Sequence, residues 1–189
     1  MDTGSYAVVV ALLAGSVRAL ELWRASIGVA VVNVVVLNAL AQGRGDALEA
    51  LLRGSGSAPY LDVAGAIGRS LLTVRASQSP ERELRQRVRR DAEAALLAAA
   101  RRLRRHAWLE YVALAAILLA GFDAVSGGAT QFKALGLFAA ALLWFSNVRG
   151  ARSIATRHYA GAEALVDSLF ASLDQLPEPT AAVAAAPEA

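Results

Sequence analysis

ARRLRRHAWLEYVALAAILLAG, residues Ala100 to Gly121, sets a block of arginines ending in His106 directly against an apolar run. From Ala107 to Val125 only Glu110, near one end, and Asp123, near the other, interrupt that run. A helix on the surface of a soluble domain keeps one polar face, and this segment keeps none. It has close to the roughly 20 residues needed to cross a bilayer. The arginines put its first end on the cytoplasmic side.

Upstream, SQSPERE opens a helix with Ser79 as N-cap, Pro80 at the first helical position and Glu81 and Glu83 at the positive end of the dipole. Leu84, Val88, Ala92, Ala95, Ala99 and Leu103 recur at spacings of three and four and form one apolar stripe. Glu81 with Arg85 and Glu83 with Arg87 are spaced to pair on the wet side. The pattern runs unbroken to Phe122, which predicts one helix of roughly forty residues, about 60 Å long, carrying a cytoplasmic stem into the membrane.

Downstream, a turn with Ser126, Gly127, Gly128 and Lys133 leads to a further apolar run, Ala134 to Val148, with Trp144 and Phe145 at its far end and Arg149, Arg152 and Arg157 beyond it. A second amphipathic helix then runs inward from Ala151 to Leu176, with Ile154, Tyr159, Ala162, Leu165, Val166, Leu169 and Leu173 available to pack on the stem. At the other end of the chain, Tyr6 to Val17 and Ile27 to Leu40 are apolar runs separated by Arg18, Glu21, Trp23 and Arg24. Two readings stand: one long helix that crosses with its first half and continues inward, or a hairpin of two spans. Arg18 and Glu21 are three apart and spaced to pair. The start MDTGSYAVVV lacks a basic region, so a cleaved signal is not expected and the first helix is expected to be retained.

The whole composition agrees, with 56% hydrophobic residues, 6% aromatic and a mean hydropathy of +0.43. The fold expected is an all-α integral membrane protein with about three transmembrane helices and long cytoplasmic helical extensions. Its segments are an N-terminal transmembrane helix with an inner extension (1–41), a cytoplasmic helical insert (42–80), the stem (81–106), a transmembrane hairpin (107–148), a C-terminal cytoplasmic helix (149–176) and a disordered tail (177–189). Within the insert, GRGDALEALLRG reads as a short amphipathic helix, GSGSAP as a break, and Tyr60 to Val74 as a second helix. With a single N-terminal span the arginine distribution puts the N-terminus outside and the C-terminus in the cytoplasm; four spans would put the N-terminus inside.

Cysteine is absent, which excludes disulfides, thiolate metal sites and a cysteine nucleophile. GSGS lacks the lysine and preceding strand of a phosphate loop. His106 and His158 fall near the inner interface but make a weak metal pair without further ligands. The basic residues alternate with Glu81, Glu83, Asp91 and Glu93 and have no interleaved aromatics, against nucleic-acid binding. No nucleophile, base and orienter come together, so neither an enzyme nor a cofactor is expected.

The polar candidates are intramembrane. Glu110 either accepts from Arg105 or Arg102 at the interface or faces a pore. Asp123 either hydrates the outer turn or gathers cations. Ser146 and Asn147 either line a constriction or bond a neighbouring helix. Arg101, Arg102, Arg104 and Arg105 set topology and attract anionic lipid.

The order of segments resembles the ExbB, TolQ and MotA family of inner-membrane proton-channel and stator subunits, from about Tyr6 to Leu173. GRGDALEALL looks like that family's acidic, Ala/Leu-rich helix after its first span, and ARRLRRHAWLEYVALAAILLAG like its stem entering the second span. The resemblance implies a homo-oligomer, a pentamer, surrounding the single-span helices of a partner similar to ExbD, TolR or MotB that brings its own essential aspartate. The family's proline and its Gly-Leu-Leu-Gly-Thr run are missing from YVALAAILLAGFDAVSGG. The third span offers only Ser146 and Asn147 in place of a pore threonine or glutamate. What the resemblance implies is therefore a scaffold more than a conductor. The alternative is a non-conducting membrane assembly or anchoring protein.

Overall fold

A computed structural model describes residues 3–26, 28–42, 58–76, 81–127 and 130–171. Among them there are helices and no strand: α1 (Thr3–Ala25), α2 (Val29–Ala41), α3 (Pro59–Ala76), α4 (Glu81–Arg104), α5 (Trp108–Gly127) and α6 (Gln131–Ala171). Three stretches, Thr3–Ala41, Arg82–Gly127 and Lys133–Ala171, are long and apolar enough to cross a membrane. The chain forms two compact units, Met1–Ala25 with Leu103–Ile154, and Ser26–Arg102 with Ala155–Ala189.

In the first unit α1 lies antiparallel to α5 and parallel to α6. Ala7 and Val8 cluster with Ala120, and Ala11 with Ala116 and Ala140. Further along, Leu22 and Ala25 meet Ile154, Leu103 and Ala151. The helices approach through small residues. A Cβ on Gly136 would stand 2.6 Å from Val8 Cγ1, and one on Gly15 2.8 Å from Leu143 Cδ2. The large apolar side chains point away from this seam: Leu13, Leu118, Leu119, Phe138 and Phe145 are exposed, with Phe122 at 75% and Val125 at 89%.

The second unit is built the other way. Tyr60, Val63, Ile67 and Leu71 of α3 are fully buried together with Val88 of α4 and Leu165 and Leu169 of α6. Val32, Val36 and Leu40 of α2 complete this core. Valine is a poor helix former because its branched Cβ restricts rotamers. Packing on α3 and α6 therefore holds α2 helical, since its sequence VAVVNVVV does not favour the helix by itself. In α4, rich in Ala, Leu, Arg and Glu, propensity and packing agree.

Four expectations change. The stem does not run unbroken to Phe122: Arg105–Ala107 form a turn, with Ala107 N–H bonding to Arg104 O and Glu110 N–H to Ala107 O, each three residues back. The break restarts the helix with Glu110 in the first turn of α5, where the positive end of the dipole favours a carboxylate. The hairpin's second arm and the C-terminal helix are one element, α6, which continues through Gly150. The N-terminal runs are not one unbroken helix: a turn at Ser26 separates α1, in the first unit, from α2, in the core of the second. Tyr159, expected to pack, is 60% exposed, whereas Ile154, Ala162, Leu165, Val166 and Leu169 are buried as expected. The stripe Leu84, Val88, Ala92 and Ala99 is buried, with Ala95 packed against it. GRGDALEALLRG, Ser79, Pro80, Leu173 and the tail lie outside the described residues.

Candidate functional site

Arg18 directly follows the apolar run Tyr6 to Val17 of α1, and its side chain is 4% exposed. A guanidinium in that position needs a counter-charge. It finds two: Nε donates to Glu110 Oε1 at 2.8 Å, and NH1 to Glu21 Oε2 at 3.3 Å. Glu21 Oε1 in turn lies 2.7 Å from His106 Nδ1. The result is a chain of alternating partners, Glu110–Arg18–Glu21–His106, that stitches α1 to the start of α5. Trp144 Nε1 of α6 donates to the backbone oxygen of Glu110 at 3.0 Å, which brings the third helix to the same level.

Glu110 is therefore an ion-pair residue, as one reading held, but its partner is Arg18 and not Arg105 or Arg102. Arg102 instead pairs with Asp62 of α3. Arg101, Arg104 and Arg105 are exposed. Asp123 pairs with Lys133 Nζ at 3.0 Å, across the α5–α6 connection, and its carboxylate occupies the space a Cβ on Gly4 would need. Asn147 is buried and donates to Gly15 O at 2.8 Å, the inter-helix bond expected of it. Ser146 is exposed. Glu83 and Arg87, spaced to pair, stand exposed and do not meet, and Arg85 lies over the Phe170 ring, 4.9 Å from its centroid.

A second polar node, in the other unit, was not anticipated. Tyr60 donates to Asn33 Oδ1 at 2.7 Å, and Asn33 Nδ2 to Gly161 O at 2.8 Å. Burial pushes the Tyr60 hydroxyl up to about 12, against the opposing pull of the Asn33 bond. The His158 ring packs on that of Tyr60 with centroids 5.2 Å apart. His106 and His158 thus have separate partners, and no cluster of metal-ligating side chains occurs among the described residues. The signal for this node was an asparagine in a valine run, a polar side chain that needs a partner wherever the run is buried.

Compared with protein families, with curated proteins and with solved structures, the chain matches none.

Proposed function

We propose that the first unit lies in a lipid bilayer and that the protein is a membrane scaffold subunit with the layout of the ExbB, TolQ and MotA family, enclosing the single-span helix of a partner. The observation that carries the membrane reading is the inverted packing of that unit. Small residues face one another and large apolar ones face outward, which suits helices whose surroundings are as apolar as their own side chains. Along α1 the outward apolar band runs from Tyr6 to Trp23, and along α5 from Trp108 to Val125, each about 25 Å of helix, near the thickness of a bilayer core. Arg24, Arg104, Arg105, Arg149 and Arg152 gather at the end where α1 and α6 leave and α5 enters, supporting a cytoplasmic C-terminus and an outer N-terminus in a bacterial inner membrane. Those arginines also suit anionic lipid headgroups.

The subunit is non-enzymatic and holds its partner without conducting ions through its own side chains. In support, Glu110, Asp123 and Asn147 are each held by partners within the unit. That same observation favours the second reading, an assembly or anchoring protein with no ion path. Native mass spectrometry of the gently extracted complex, with and without co-expressed neighbouring membrane proteins, separates the two. A homo-oligomer, a pentamer on the family's pattern, that takes up single-span proteins supports the scaffold; a monomer leaves anchoring. Glu110→Gln should leave partner-dependent activity intact, and abolition of that activity in a protein that still assembles would restore Glu110 as a path residue.

A further inference from the structure

We propose that the groove between α4 and the C-terminal part of α6 receives the opposite face of α4 from a second copy of the chain. The inference rests on the reading of the protein as a homo-oligomer and names the faces that meet.

The groove encloses about 160 Å³. Its floor is apolar and small, with Ala92, Leu96, Ala162 and Val166, and its rim carries Glu93, Glu163 and Asp167. Among the described residues Arg89 answers only Asp167, at 3.9 Å. Among the described residues Glu93 and Glu163 meet no cation, and both are exposed. An apolar slot with unanswered carboxylates on its edges fits an aliphatic side chain flanked by cations. A void of about 150 Å³ holds a benzene-sized group, so one leucine side chain fits this one.

The same chain displays that ligand on the far side of α4. Arg87, Arg90, Ala94, Leu97 and Arg101 recur at spacings of three and four, all exposed, on the face opposite the buried Leu84, Val88, Ala92 and Ala99. Leu97, 60% exposed, stands between Arg90 and Arg101, with the small, exposed Ala94 and Ala98 beside it. A leucine knob with one arginine about two turns before it and another about one turn after it is the complement of the slot in shape and in charge. Because the two faces differ, the contact is head-to-tail, and repeating it propagates from copy to copy and closes into a ring where the rotation allows.

The chain contains no cysteine, so introduced thiols are unique. Two differently tagged full-length copies, one carrying Ala94→Cys beside the Leu97 knob and the other Tyr159→Cys at the groove wall, are co-expressed and treated in membranes with a short thiol cross-linker. The expected product joins the two tags. Arg90→Glu with Arg101→Glu in the first copy lowers its yield about tenfold, and Glu93→Arg with Glu163→Arg in the second restores it. A yield indifferent to charge reversal, or no product from a particle whose native mass still counts several copies, overturns the groove assignment. A native mass of one copy overturns the homo-oligomer itself.

Discussion

Arg18 pairs locally with Glu21, as spacing foretold, and remotely with Glu110, 92 residues away. The local partner was legible because three residues bring two side chains to one helix face. The remote one depends on the register of α1 against α5, which no local pattern encodes. Removing one member of a buried pair strands the other, at a cost of about 3–5 kcal/mol, whereas replacing both with apolar groups is often neutral. Arg18→Leu or Glu110→Leu alone should therefore lower the thermal midpoint of the extracted protein sharply, and the double variant should recover most of it; additive losses would refute the pairing. Tyr60 gives a prediction of the opposite kind. Its folded value lies above the ordinary 10.0, so the fold favours the protonated phenol. That contribution is present in full below about pH 10 and is lost as pH climbs through about 12. Tyrosinate absorbance of the native protein should show one late-titrating group that Tyr60→Phe removes. The same substitution leaves Asn33 Oδ1 without its donor, costing about 1–3 kcal/mol at neutral pH.

The glycines of α6 separate by what stands opposite them. At Gly136 a new methyl meets Val8, whose branched side chain has few rotamers to retreat into; at Gly15 of α1 it meets the flexible end of Leu143. Gly136→Ala should cost about 1–3 kcal/mol, and Gly15→Ala less, because Leu143 can turn aside. Gly150 faces Leu22 only at 3.9 Å, an ordinary contact, so Gly150→Ala should raise the melting midpoint by removing the helix penalty of glycine, about 0.5–1 kcal/mol. Circular dichroism melts of the three variants rank them directly. Sequence periodicity found α3, the stripe of α4 and the buried face of α6, because each repeats at helical spacing over several turns. It missed the turn at Arg105–Ala107, which has no glycine or proline to mark it and is set by contacts of Glu21, His106 and Glu110. It also placed an end near Gly150, where composition changes from apolar to charged while the helix does not stop.

Each unit of the molecule follows its own packing rule, and the absence of cysteine makes the difference open to mapping. On the proposed reading, Leu13→Cys and Phe122→Cys in intact cells or sealed vesicles resist a membrane-impermeant maleimide, although both positions are exposed on the isolated chain. Arg69→Cys, at an exposed position of α3, reacts in inverted vesicles and not in intact cells. Ready labelling of Leu13→Cys and Phe122→Cys would mean that the outward apolar face of the first unit meets water or a removable partner. Both units are discontinuous in sequence: the first needs Met1–Ala25 and Leu103–Ile154, with most of the second between them. A ribosome adding about 5–20 residues per second reaches Glu110 roughly 5 to 20 s after Arg18. During that interval Arg18 has Glu21 alone, and α1 waits beside neither α5 nor α6. The first helix to be made thus waits for a partner synthesised 92 residues later, and on the proposed reading its final depth and tilt are decided by the hairpin that arrives after it.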